Sequence, residues 1–198
     1  MVNGLKPKTY SIIGIVIALI IIGFYLYPKP FIINENFENG FGEWSKDAHV
    51  PLDPNNPGHY VFWDISRTNS LAYSGSYSLN FSIDGRQDDG TIWIERRISV
   101  ESYSSIQVRV SFQLHSKFES QANTIAYVVV FIGTNDPEIE DDFQLREPAN
   151  QVSGWKEYSH KVNLNTGSNG EIWIALGITV NWETYMSYNI DDVRIEIA

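Results

Sequence analysis

No cysteine occurs among the 198 residues, which excludes disulfide scaffolds, thiol catalysis and cysteine-ligated zinc or iron–sulfur centres. Histidine is scarce too: His49, His59, His115 and His160 stand apart without metal-ligand spacing, so a histidine zinc centre has no frame. Charge is nearly missing before residue 31, where Lys6, Lys8 and Lys29 are the only charged side chains. The rest carries 24 acidic against 11 basic residues, a formal net of −13. Such a surface repels phosphate backbones and argues against nucleic acid as a partner; it favours cations, or keeps an exported domain soluble. The glycines lie at turns with no strand–loop–helix context, so no phosphate loop is present. What the chain does have is 43% hydrophobic residues, enough to build the core of one ordinary domain.

Residues 10–27 read YSIIGIVIALIIIGFYLY, without a charge. As a helix this run spans roughly 27 Å, about the thickness of a bilayer core. Lys6 and Lys8 precede it, Tyr10, Tyr25 and Tyr27 fall where interfacial aromatics belong, and Pro28 and Pro30 stop the helix. The run exceeds the ~7–15 apolar residues of a cleavable signal, and the flank GFYLYPKPF offers no small-x-small cleavage site. The expectation is a single-pass protein of the cell membrane. It has a cytoplasmic head at 1–9, a transmembrane anchor at 10–27 in the lipid bilayer and an extracytoplasmic domain at 28–198.

Beyond residue 30 the apolar period becomes two, in short segments bounded by Gly, Asn, Asp, Pro or Ser. In IQVRVSFQL, residues 106–114, Ile106, Val108, Val110, Phe112 and Leu114 share one face, while Arg109 and Gln113 lie on the other. In EIWIALGI, residues 171–178, Ile172, Ile174, Leu176 and Ile178 point inward, and Trp173, Ala175 and Gly177 outward. The closing segment 189–197 places Asp191 inward with Val193, Ile195 and Ile197. Further strands are predicted near 31–38, 59–66, 76–84, 91–99, 124–132 and 155–164. The sum is an all-β domain, a β-sandwich of about nine strands after one N-terminal transmembrane helix. Residues 133–154 read as a long loop, because Pro137, Pro148 and an acidic run argue against a strand.

Four strings, taken in order, resemble the jelly-roll carbohydrate-binding modules with a galactose-binding-domain-like fold. They are NFENGFGEW at 36–44, AYSGSYSLNF at 72–81, GWKEYSHKV at 154–162 and NIDDVRIEI at 189–197. The resemblance covers the chain from about residue 31 to its end. It implies a structural Ca2+ where the first and last strands meet the small-residue turn, with Glu38, a carbonyl at Gly75 and Asp191 as ligands. The alternative is that Asp191 caps backbone amides or pairs with an arginine such as Arg67. Trp44 and Trp155 match family positions that pack the fold.

A glycan site needs flat aromatic faces to stack on sugar rings and planar polar groups to bond the hydroxyls. The outward rows offer Trp93 and Glu95 from TIWIERR, Arg109 and Gln113, Trp173, and also Tyr127. These form a platform if their strands share the concave sheet; otherwise the tryptophans pack under a loop. No catalytic set is found. EIEDD at 138–142 approaches the paired-carboxylate strand of laminarinase-like enzymes, but its spacing is wrong and Pro137 precedes it. The reading is a non-catalytic carbohydrate-binding module for a glycan or polysaccharide. Its rival is a structural envelope, surface-layer or appendage protein whose sandwich contacts envelope proteins.

Overall fold

The computed structural model describes residues 29–85, 89–117, 126–149, 153–181 and 184–198. The predicted anchor at 10–27 lies outside them, and no described helix is long and apolar enough to cross a membrane.

The described chain is an all-β sandwich of eleven strands. They are β1 (Phe31–Glu35), β2 (Ser45–His49), β3 (Trp63–Thr68), β4 (Ser78–Gly85), β5 (Thr91–Ser99), β6 (Ser105–Ser116), β7 (Ala126–Gly133), β8 (Leu145–Pro148), β9 (Gly154–Asn165), β10 (Glu171–Val180) and β11 (Thr184–Ile197). One sheet runs β3-β4-β11-β6-β9, with β1 also paired to β11; the other runs β2-β5-β10-β7-β8. From β4 onward the chain steps from sheet to sheet, except for the hairpin partner β8, so most pairings join strands distant in sequence. A single 3-10 turn, Glu140–Asp142, is the one helical element among the described residues.

The alternation read from the sequence sets the core. Val108, Val110, Phe112 and Leu114 of β6 meet Ile172, Ile174, Leu176 and Ile178 of β10 inside, together with Leu79, Phe81 and Ile83 of β4. Burying a side chain of this size contributes about 1.5–3 kcal/mol, and this cluster fills the space between the sheets.

Two of the eleven strands were not expected, and both are edges. SKDAH, the sequence of β2, carries no apolar alternation, and β5 is the one strand it pairs with. LREP, the sequence of β8, falls in the stretch read as loop; it pairs with β7, and its Pro148 stands opposite Tyr127 at the strand end. Proline is tolerated there because an edge strand has no second neighbour asking for its N–H.

The closing strand also departs from simple parity. Ile190 and Ile195 both pack into the core between the sheets although five residues apart, and an unbroken strand would put them on opposite faces. The register shifts between Asp191 and Arg194, and Asp192 takes φ +50°. This β-bulge sends Asp191 to the outer face, opposite Gln113, while Val193 and Ile195 stay in the core. Asp191 therefore does not point inward, as its parity with Val193 suggested.

Candidate functional site

The six residues picked as a glycan platform fall on two different sheets. Trp93, Glu95, Trp173 and Tyr127 stand on the outer face of the β2-β5-β10-β7-β8 sheet. Arg109 and Gln113 stand on the outer face of the opposite sheet, so no single platform contains all six. The sequence fixes each strand's two faces, but which strands share a sheet follows from the crossovers.

The first group is also covered. Trp93 points away from the core, as its parity requires, yet it is 0% exposed. The segment joining β7 to β8 lies over it, with the Phe143 ring edge-on to Trp93 at 5.2 Å and to Phe131 at 6.4 Å. These residues form a second apolar cluster with Ala175 and the half-buried Trp173, separate from the main core. Gly177 makes room for it: a Cβ there would lie 2.0 Å from the Ile92 carbonyl oxygen and 2.7 Å from the Trp93 Cα. Glu95 accepts a hydrogen bond from the Trp93 indole at 2.7 Å. Burial pushes its carboxyl up to about 7, against the pull of that indole, with Asp136 and Asp47 adding to the rise. Tyr127 is half-buried, and the Arg146 guanidinium lies 4.8 Å from its ring centre.

The acidic run in the covering segment is occupied structurally. Asp142 accepts the backbone N–H groups of Glu138 and Ile139, and Glu140 takes Thr91 Oγ1 at 3.0 Å and Arg146 at 2.5 Å.

The second group borders open space. A cavity of about 460 Å3 lies on the outer face of the six-stranded sheet, where β1, β11, β6 and β9 meet. Asn34, Asn36, Gln113, Glu157, Asp192 and Arg194 line it. Gln113 and Glu157 are cross-strand partners, and Ser111 opposes Arg194 one row along. The bulge in β11 turns Asp192 and Arg194 toward this space. Amide, carboxylate and guanidinium groups together supply both donors and acceptors, which is what a ring of hydroxyls requires. Arg194 donates its Nε to Glu196 at 2.7 Å, leaving its terminal nitrogens for a ligand. Arg109 stands two residues from Ser111 on the same face and donates to Ser159 at 3.0 Å.

One row the other way, the same face carries aromatics. Trp155 and His115 are cross-strand partners, 5.2 Å between ring centres, and Tyr73 meets Trp155 edge-on at 5.5 Å. Tyr73 is 50% exposed and Trp155 half-buried. Trp155 therefore lies outside the core, unlike Trp44, which is in it. Sequence reasoning set Trp155 aside on the family pattern alone; its parity with the outward Glu157 was the signal that could have placed it here. Burial, helped by the neighbouring Lys117, holds the His115 ring below the usual histidine range. A smaller cavity of about 260 Å3 lies between β2 and the 50–62 segment, lined by His49, Tyr60 and Trp63.

The expected metal ligands sit above this face, and three of the four carboxylate oxygens of Asp191 and Glu38 accept backbone N–H groups. Asp191 Oδ2 accepts the N–H groups of Tyr73 and Ser74 at 2.8 and 3.1 Å, and Oδ1 accepts that of Asp192. Glu38 Oε1 accepts the N–H groups of Ser76 and Tyr77, both at 2.8 Å. The turn thus presents backbone amides to both acids. Arg67 donates to the carbonyls of Phe37 and Glu38 and lies 3.2 Å from the Tyr77 ring centre. Gly75, at φ +61°, allows the turn to close over Glu38, whose carboxylate would sit 2.5 Å from a Cβ there. A calcium ion needs roughly six to eight oxygen ligands converging on one point, and among the described residues no three acidic or histidine side chains gather in a way that could hold a metal ion. Burial still holds Asp191 above the usual carboxylate range, although three backbone amides pull it down.

No protein-family model matches the chain, and no curated protein matches its sequence. Its fold is similar to solved carbohydrate-binding modules of the jelly-roll type. One is TmCBM61 in complex with β-1,4-galactotriose, at 16% identity over 81% of this chain and 92% of that one, with a TM-score of 0.46. Another is the CBM22-1 xylan-binding domain of Xyn10C from Paenibacillus barcinonensis, at 14% identity over 85% and 96%, with a TM-score of 0.48. The chain is also similar to part of the enzymatically active domain of tailspike protein 4 from bacteriophage CBA120. There the identity is 12% over 82% of this chain and 20% of that one, with a TM-score of 0.50.

Proposed function

We propose that this protein is a non-catalytic glycan-binding module, held outside the cell membrane by its apolar N-terminal segment. The cavity on the six-stranded sheet carries the reading. It is open, of a size for one or two sugar rings, and lined by amide and charged groups able to bond hydroxyls, and Trp155, in contact with Tyr73, stands one row along the same sheet face. Glycan binding also agrees with what the similar modules are named for. The first and last strands close on the 71–77 turn through Glu38 and Asp191, with Arg67 bonding the Phe37 and Glu38 carbonyls beside Tyr77.

Screening the full chain in detergent against a glycan array tests the site. Saturable binding is expected, and Gln113→Ala and Glu157→Ala should each weaken it by about tenfold, equivalent to ~1.4 kcal/mol. Both residues lie outside the core, so the fold should survive. Binding that is absent, or indifferent to both substitutions, overturns the assignment of this cavity. The envelope-contact reading has its own observation, since Leu52, Tyr60 and Phe62 are exposed together on the 50–62 segment. Isolation of the protein within a filament or lattice, with no glycan bound, would support that reading instead.

The anchor is tested separately. The protein should resist alkaline extraction from membranes, and protease added to intact cells should digest the chain beyond Pro30. A soluble product beginning near residue 28 would overturn the anchor.

A further inference from the structure

The segment between β7 and β8 is held over the Trp93 face at three places. At its start, Pro137 is buried and the Asp136 carboxyl reaches Glu95. In its middle, Glu140 is tied to Thr91 and Arg146. At its end, Phe143 packs on Trp93 and Phe131, while Gln144 exchanges two hydrogen bonds of 3.0 Å with the Ile132 backbone. Glu95 is the group at the centre, 7% exposed and bonded to the indole beneath the segment.

We propose that residues 134–144 form a lid over the Trp93–Phe131–Trp173 face, latched by a proton shared between Glu95 and Asp136 and released when that proton is lost.

The geometry distributes the proton plainly. One Glu95 oxygen accepts the indole N–H, so the remaining bond, between two carboxyl groups, needs a hydrogen on one of them. Asp136 is the more exposed partner and the easier to ionise, which leaves the proton on Glu95, donating to Asp136. Once it departs to solvent, two carboxylates face each other, the buried one of Glu95 and the exposed one of Asp136.

No basic group offsets them. On β2, Ser45 stands directly opposite Glu95 and Asp47 one row along. On β10 the direct neighbour is Ala175. Arg97, two residues away on β5, is paired with Glu171 at 3.5 Å. The lid itself brings Asp136 and Glu138. At its far side Asp89 faces Glu140, where the basic groups are Arg146 beside Glu140 and His49 beside Asp89.

The carboxyl values agree in direction. Glu95 is raised from 4.5 to about 7 by burial first, and burial with Glu138 and Asp47 also raises Asp136. An acid whose value is higher with the lid closed stabilises the closed form fully below its open-state value. That contribution is lost as pH rises through the closed-state value. The window is therefore 4.5 to about 7, and within it the open fraction rises by up to about tenfold per pH unit for one released proton.

Hydrogen exchange on the full chain in detergent, corrected for intrinsic rates, reads this directly. Between about pH 5 and pH 7 the protection of residues 136–144 should fall on the order of a hundredfold, while β6 stays protected. Glu95→Gln, which can accept from the indole and donate to Asp136 without titrating, should keep the lid protected across the range. Lid protection that does not change with pH in the wild type overturns the proposal, as does a Glu95→Gln variant with the wild-type response. Should Glu95→Gln expose β6 as well, Asp136→Asn decides. It removes the opposing charge from the surface side and should flatten the response, and an unchanged response overturns the latch.

Discussion

Val110→Asp is expected to leave the sandwich unfolded, whereas Arg109→Ser, one residue away, leaves it folded. Val110 is fully buried at the centre of β6, between Ile195 of β11 and His160 of β9. Neither neighbour is a cation waiting for a carboxylate, since burial already depresses the His160 ring below the usual histidine range. An unpaired carboxylate there, together with the lost apolar contacts, costs more than about 4–5 kcal/mol. That is comparable to the roughly 5–15 kcal/mol that holds an ordinary domain together. Arg109 faces solvent, and its one side-chain hydrogen bond among the described residues, to Ser159, is worth about 1 kcal/mol or less. Far-UV circular dichroism and urea titration of the two variants measure the difference. Equal tolerance at both positions would show that the register of β6 is wrong.

Asp191→Ala is expected to destabilise nearly as much, and chelation of calcium to do nothing. The substitution removes the acceptor of three backbone amides, those of Tyr73, Ser74 and Asp192, at a carboxylate that is fully buried. Each buried donor left without a partner costs about 1–3 kcal/mol. A loss of roughly 3–6 kcal/mol follows, and it should appear as a lower midpoint in thermal unfolding. Arg67→Met should be milder, since it frees two carbonyls at a half-buried position. An ion bound only to the folded state raises stability by mass action, about 2.7 kcal/mol at a hundredfold excess over its dissociation constant. A melting midpoint of the wild type that drops with chelator, and recovers with calcium, would therefore show that a cation does sit among Glu38, Gly75 and Asp191.

The sequence by itself determined the fold class and the two faces of central strands such as β6 and β10. Alternation in β6 and β10 is strict because one face of each must be apolar and the other need not be. Nine strand segments were legible on that ground. The edges β2 and β8 were not, since an edge strand is held by backbone hydrogen bonds that SKDAH and LREP satisfy without any side-chain pattern. The bulge in β11 was hidden for a related reason: DDVRIEI keeps its apolar alternation through the bulge, and only the burial of Ile190 shows that the count is off by one.

The candidate site depended more on tertiary structure. Gln113 was chosen from its parity alone, and it does border the open cavity; Trp93 was chosen the same way and is sealed beneath Phe143. Parity tells which side of a strand a residue occupies, but not what lies above it. That was decided by the crossovers, which put Trp93 and Arg109 on opposite sheets, and by a segment whose prolines and acids read as solvent-loving loop. Its acids are bound to Thr91, Arg146, Glu95 and their own backbone instead, so its apolar side, Pro137 and Phe143, is free to cover the sheet.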